Sequence, residues 1–202
     1  MSEELNWGDV MIDSTETVTA DDQAQSDDID LRPMAGEYLC TMTKVEPTQK
    51  DFKAYSCYAA NITFRIDKVL KIEKPVIADG KPVVKDGEKI MKVQPVTEAE
   101  GFDAKFSGMN IFDDIPFFHA KEKPAMKKRR LFFLKKAGVI TNKTTNINGE
   151  HFQQCQDRQI IVKTENNSYT KDGITKTNVK VSWGGFERAS MAGVKEDDFS
   201  NI

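Results

Sequence analysis

Tyr55-Ser-Cys-Tyr-Ala-Ala-Asn-Ile-Thr-Phe-Arg-Ile-Asp-Lys-Val-Leu70 is the stretch that decides the fold class. Its even positions Tyr58, Ala60, Ile62, Phe64 and Ile66 are apolar, and its odd positions Asn61, Thr63, Arg65 and Asp67 are polar. A period of two sustained over this length describes a strand with one buried and one wet face.

Working outward from it, Gly36–Val45 (GEYLCTMTKV) is a first strand, ended by Pro47. Downstream, Lys71–Lys92 is rich in lysine and holds two turn signals, Asp79-Gly80 and Asp86-Gly87, which predicts a projecting hairpin insertion over 71–93. Phe102–Phe112 (FDAKFSGMNIF) reads as a third strand, with Phe102, Ala104, Phe106 and Phe112 on one parity and Gly108 at a bulge or close approach. Pro124–Ala137 (PAMKKRRLFFLKKA) reads as the one clear helix, with Pro124 in its first turn and Gly138 as its cap. Met126, Arg130, Leu131, Leu134 and Ala137 share its inner face, while Lys127, Lys128, Arg129, Lys135 and Lys136 lie mostly elsewhere. Arg158–Lys163 and Thr175–Trp183 are the fourth and fifth strands, joined by a polar loop containing Asn166-Asn167, Tyr169 and Asp172-Gly173. Phe64, Phe106 and Trp183 fall on core parity, and no internal repeat is read.

Strand, strand, strand, helix, strand, strand is the element order of an OB-fold. The expectation is therefore a mostly β, OB-fold-like five-stranded Greek-key barrel, with one helix between strands three and four and an inserted hairpin. It occupies residues 33–190, between an acidic disordered tail, 1–32, and an acidic C-terminal tail, 191–202.

Charge follows the same division. Residues 1–31 carry ten acids and no Lys or Arg; residues 32–195 carry all 29 basic residues against 19 acids, a net of +10; residues 196–202 add three acids. The overall net charge of −3 thus hides a basic body suited to a polyanion. The start, MSEELNWGDV, lacks the apolar core of a secretion signal, and the three cysteines Cys40, Cys57 and Cys155 form no CxxC pair. Both fit a reducing cytoplasm, with the thiols as small hydrophobes. No apolar run approaches the ~18 residues of a membrane span.

Catalytic signals are weak. His151 and Cys155 stand four apart without a second ligand pair, so no metal or cofactor is expected. Asp113-Asp114 reads as a turn or surface pair, and no phosphate loop or nucleophile motif occurs. Binding signals are stronger, because bases and rings interleave. Lys50, Phe52, Lys53 and Tyr55 lie in the first hairpin, Arg65 and Lys105 on polar strand faces, and Tyr169, Lys171 and Lys176 in the last hairpin. Single-stranded nucleic acid asks for this mixture: cations along the phosphates and flat rings under the bases. The helix run Lys127, Lys128, Arg129, Arg130 is a wet face, a phosphate patch or a dock for an acidic segment.

The end of the chain, Glu196, Asp197, Asp198, Phe199 and, after two polar residues, Ile202, resembles the C-terminal tips of bacterial single-strand-binding proteins. That resemblance implies recruitment of replication or recombination proteins. More broadly, residues 35–188 resemble a family of phage-encoded single-strand-binding and recombination-associated proteins. The similar stretches are Gly36-Glu-Tyr38, Ile62-Thr-Phe-Arg-Ile66, Lys105-Phe-Ser-Gly-Met-Asn-Ile-Phe-Asp113, Lys136-Ala-Gly138 and Asn178-Val-Lys-Val-Ser-Trp183. The expected function is non-enzymatic coating of single-stranded DNA in phage replication or recombination, in the host cytoplasm and with self-association left open. The alternatives are a β-rich virion structural or assembly protein, and an inhibitor of a host protein whose acidic tail mimics DNA.

Overall fold

Two long strands, β1 (Gly36–Phe52) and β2 (Tyr55–Pro75), pair antiparallel from Gly36↔Ile72 to Phe52↔Tyr55 and form the spine of the molecule. The computed structural model describes residues 33–52, 55–116, 124–171 and 174–192, with the side chains of 50–56 and 171–174 outside the description. The expected acidic tails, 1–32 and most of 191–202, also lie outside the described residues. Register shifts at Glu37/Tyr38, Leu39/Cys40 and Met42/Lys44 bend β1, as bulges do.

Pro47 does not end the first strand. β9 (Gln159–Lys171) pairs only with Glu37–Thr41 of β1, so at Pro47, opposite Ala60, β1 is an edge strand, where proline is tolerated.

The insertion is more than a hairpin. β3 (Ile77–Ala78) pairs β4 (Lys81–Pro82), β5 (Val84–Lys85) pairs β6 (Glu88–Lys89), and β7 (Met91–Pro95) returns along β2 from Pro75 to Lys71. Both tips turn through left-handed pairs, Asp79 (φ 50°)-Gly80 (φ 73°) and Asp86 (φ 54°)-Gly87 (φ 85°), the Asp-Gly signature of a two-residue hairpin. Three backbone bonds close a triangle at the junction. Val83 donates to Val76 O at 2.8 Å, Ile90 to Val83 O at 2.9 Å, and Val76 to Ile90 O at 2.8 Å. The corners are seven residues apart, and the sequence repeats with them: Val76-Ile-Ala-Asp-Gly-Lys-Pro82, then Val83-Val-Lys-Asp-Gly-Glu-Lys89. An internal repeat is therefore present.

Phe102–Phe112 divides. Phe102–Phe106 is a short helix, α1, and the third main strand, β8, starts only at Asn110 and runs to Pro116. Phe102 and Phe106 share parity under a period of two and also lie four apart, so either geometry brings them together; here they stack at 6.2 Å. Asp103 accepts the Val69 amide at 2.6 Å, tying α1 to β2. Gly108 (φ 85°) makes the turn into β8 rather than a bulge within it.

The expected helix, α2 (Pro124–Lys136), is present and is capped by Gly138 at φ 71°. It buries Arg129, Arg130, Phe133 and Leu134. A further short helix, α3 (Gly149–Gln153), starts at Asn148, whose side chain and that of His151 form a reciprocal cap. β9 (Gln159–Lys171) and β10 (Ile174–Arg188) extend well beyond the expected fourth and fifth strands. Residues Thr164–Lys171, read as loop, are strand because each meets a partner on β10, from Thr164↔Val181 to Lys171↔Ile174.

The sheet runs β10-β9-β1-β2-β7, with β8 also paired to β2, and curls into an antiparallel half-barrel. Its interior holds Tyr38, Met42, Ile62, Phe64 and Ile66, with Phe133 of α2 meeting Phe186 at 5.0 Å and Phe64 at 6.5 Å. Ala60, Ile62, Phe64 and Ile66 are buried as expected, but Thr63 on the other parity is buried too, at 8% exposure, and Tyr58, on the core parity, is 64% exposed.

Candidate nucleic-acid interface

The outer face of β1, β2 and β8 is built in rows by register. Lys44 lies across from Thr63, and Thr63 across from Phe112. One row along are Thr41, Arg65 and Asn110; one row back are Glu46, Asn61 and Asp114. A phenyl ring, 63% exposed, thus stands at the β8 edge of an otherwise polar surface.

The surrounding polar groups are oriented. Asp67 accepts from Thr41 Oγ1 at 2.5 Å, Gln159 Nε2 at 3.1 Å and Arg65 at 3.2 Å, which holds the guanidinium while its side chain stays about half exposed. Asn61 donates to Asp114 at 2.9 Å, and Lys44 pairs with Glu46 at 2.9 Å. The face therefore combines one ring, two cations each paired to a carboxylate, the further carboxylate of Asp114, and amide and hydroxyl groups; a base could stack on the ring, and a phosphate would have to displace Asp67 or Glu46 from its cation.

Of the residues expected to bind nucleic acid, Arg65 is on this face. Tyr169 and Lys176, both exposed, are direct cross-strand partners on the β9–β10 hairpin. That hairpin and the β1–β2 turn lie at opposite ends of β1, because β9 leaves β1 at Glu37↔Lys163 and runs on toward Lys171. Lys53 and the side chains of Lys50, Phe52, Tyr55 and Lys171 lie outside the described residues, as do Glu196, Asp197, Asp198, Phe199 and Ile202. Lys105 is on α1 rather than a strand face, with its ammonium 5.2 Å from the Phe106 ring. Lys127 and Lys128 are exposed on α2.

Arg129 is a correction. It is 8% exposed and spans the seam where β8 and β10 approach across α2. Its guanidinium donates to Asp113 Oδ2 at 2.6 Å, to Asp114 O at 3.3 Å and to Trp183 O at 3.1 Å. Asp113, expected at a turn or on the surface, faces inward from β8 opposite Ile62. Burial pushes its carboxyl up; the Arg129 guanidinium pulls against this and does not overcome it.

Trp183, expected in the core, is 53% exposed, and its ring covers Arg129 at 5.1 Å. The register breaks between Val181 and Phe186, so the bulge turns Trp183 out and Phe186 takes the core position. Gly185 permits this: a Cβ there would lie 2.5 Å from Lys163 O.

Phe112 and Lys44 stand on this face although the sequence does not point to either as a binding residue. Within β8 itself, Ile111 and Ile115 carry the core parity and Phe112 the outer one. Once the strand is started at Asn110, alternation places Phe112 outside.

Cys40, Cys57 and Cys155 are buried and outside any disulfide, and burial pushes the Cys155 thiol up to about 12, so it stays protonated at neutral pH. Among the described residues no group of three His, Cys, Asp or Glu could hold a metal ion, and no helix is long and apolar enough to cross a membrane. No protein-family model matches the chain, and a search of curated proteins finds no match.

Proposed function

We propose that the protein is a non-enzymatic single-stranded DNA-binding protein on an OB-fold-like barrel, acting in phage DNA replication or recombination in the host cytoplasm. The connectivity supports the fold reading. β1, β2 and β8 form a meander, α2 and α3 follow, and β9 returns to pair with β1 before turning into β10. That order is compatible with a five-stranded Greek-key barrel and supports this reading. The observation that carries the function is Phe112, an exposed ring at the β8 edge of a polar sheet face that also presents Arg65 and Lys44. A single exposed ring is ordinary by itself; what favours a nucleic-acid partner is that this ring shares its face with Arg65 and Lys44, and bases stack on such rings whatever their identity. Tyr169 and Lys176 offer a second ring-and-cation pair on the β9–β10 hairpin. Replication or recombination proteins would be the protein partners, recruited through the acidic ends.

A fluorescence-anisotropy titration with labelled single-stranded DNA, duplex DNA and RNA at several salt concentrations tests this reading. Single-stranded DNA should bind most tightly, with affinity falling as salt rises because phosphate neutralisation releases counterions. Absence of single-strand binding at low salt, or binding that salt leaves unchanged, would overturn it.

A further inference from the structure

The backbone of β10 holds Trp183 out of the core. From Val181 to Phe186 β10 takes five steps while β9 takes two, from Thr164 to Val162, so β10 carries three extra residues there. Bulges re-aim side chains, and this one gives the core position to Phe186 and leaves the Trp183 indole about half exposed. An indole is among the largest apolar surfaces a side chain can bury, so burial alone would favour the opposite arrangement.

The indole is also supported from beneath. One face covers the Arg129 guanidinium at 5.1 Å, and the Phe186 ring lies 5.6 Å from the same guanidinium. Asp113 holds that guanidinium at 2.6 Å, so it serves as a fixed floor for the ring. The carbonyls of Trp183 and Asp114 accept from it at 3.1 and 3.3 Å, which brings the two strands together at this point. Phe112 is two residues before Asp114, about 7 Å along β8. Two exposed rings therefore flank one seam, and exposed Lys127 and Lys128 lead into Arg129 on α2.

We propose that Trp183 is a second base-stacking platform, and that a bound single strand crosses the β8–β10 seam between Phe112 and Trp183. The proposal rests on the single-strand reading above and extends it to a residue on the far side of the seam. An exposed ring alone is ordinary. A bulge that aims the ring outward, a buried cation that fixes its underside and a second ring across the seam together describe a platform built to receive a flat partner. A nucleobase is that partner, since every base has a π-face and stacking on an aromatic ring tolerates any sequence.

The chain has two tryptophans, so full-length Trp7→Phe leaves Trp183 as the sole indole. Titrated with oligodeoxythymidine, its emission should be quenched and shielded from acrylamide, saturating at the concentration at which anisotropy of the labelled strand saturates. A strand of equal length without bases should leave the emission unchanged, because phosphates cannot stack. In the parent background Trp183→Ala should bind about five- to 150-fold more weakly, the range for one stacked base, and Trp183→Phe should keep most of the affinity. Thermal melting checks that Trp183→Ala folds, and the emission of Trp7→Phe carries the test even if it does not.

The two readings fail differently. If anisotropy shows no single-strand binding, the proposed function falls and this inference with it. If the strand binds and Phe112→Ala weakens it while Trp183 emission stays unchanged, the function stands and the platform is overturned. Quenching by the strand without bases, or a folded Trp183→Ala that binds as tightly as the parent, overturns the platform as well.

Discussion

The guanidinium of Arg129 donates to the Asp113 carboxylate at 2.6 Å and, through the Trp183 and Asp114 carbonyls, ties β10 to β8. One side chain thus holds together the seam at which the half-barrel would otherwise gape. Its removal leaves a buried carboxylate and two carbonyls without their donor. Arg129→Ala should cost about 3–5 kcal/mol, the range for breaking one partner out of a buried pair. Urea denaturation measures it, and a loss below about 1 kcal/mol would show that the seam is held by α2 packing instead.

The same pair predicts a pH dependence. Burial raises the folded-state value of Asp113 above the ordinary 3.8, so the native state holds this proton more tightly than the unfolded chain. The contribution of Asp113 to stability is therefore greatest below 3.8 and declines as pH rises through the raised value. The stability of the parent minus that of Asp113→Asn should fall over that window and then level off. Urea midpoints of both proteins at stepped pH give the curve. A difference that grows with pH would mean that Arg129 outweighs burial.

Gly185→Ala should disturb the bulge from which Trp183 projects. The added Cβ would meet Lys163 O at 2.5 Å and Ser182 O at 2.9 Å, both backbone atoms that cannot swing aside. A loss of about 1–3 kcal/mol is expected, with tryptophan fluorescence shifted as the indole leaves Arg129. An unchanged melting temperature and emission spectrum would contradict it.

Which parts of this fold were legible depended on whether one strand carried its own signal. Ala60–Ile66 alternates apolar and polar in sequence because one side faces the core, although Thr63 on the other side is itself covered, and the Asp-Gly turns at 79–80 and 86–87 need only their own two residues. Thr164–Lys171 gives no such signal. It is polar on both faces, and what makes it strand is the partner opposite, as in Asn167–Asn178 and Ser168–Thr177, each at 3.0 Å. Phe112 was hidden by frame, since the helix and turn before β8 break a parity counted from Phe102. Arg129 and Arg130 are adjacent bases on one helix, and only the position of the seam sends the former to Asp113 and the latter to the Pro116 carbonyl at 2.9 Å. Tyr169 and Lys176 were legible as a ring and a cation near a turn, but their distance from Arg65 along β1 was not.

That separation leads to a test of the binding path. Phe112→Ala should weaken single-strand binding by about 1–3 kcal/mol, the range for one stacked base, and leave stability nearly unchanged because the ring is 63% exposed. Tyr169→Ala should do likewise if the strand continues to the β9–β10 hairpin. Lys176→Gln should instead reduce the steepness of the salt dependence, since it removes a phosphate contact rather than a platform. The two rings lie on different hairpins, so their effects should add within about 0.5 kcal/mol on an oligonucleotide long enough to reach both. On a short oligonucleotide only one should register. If Phe112→Ala binds as tightly as the parent while Tyr169→Ala does not, the binding surface is the β9–β10 hairpin and the outer face of β8 serves something else.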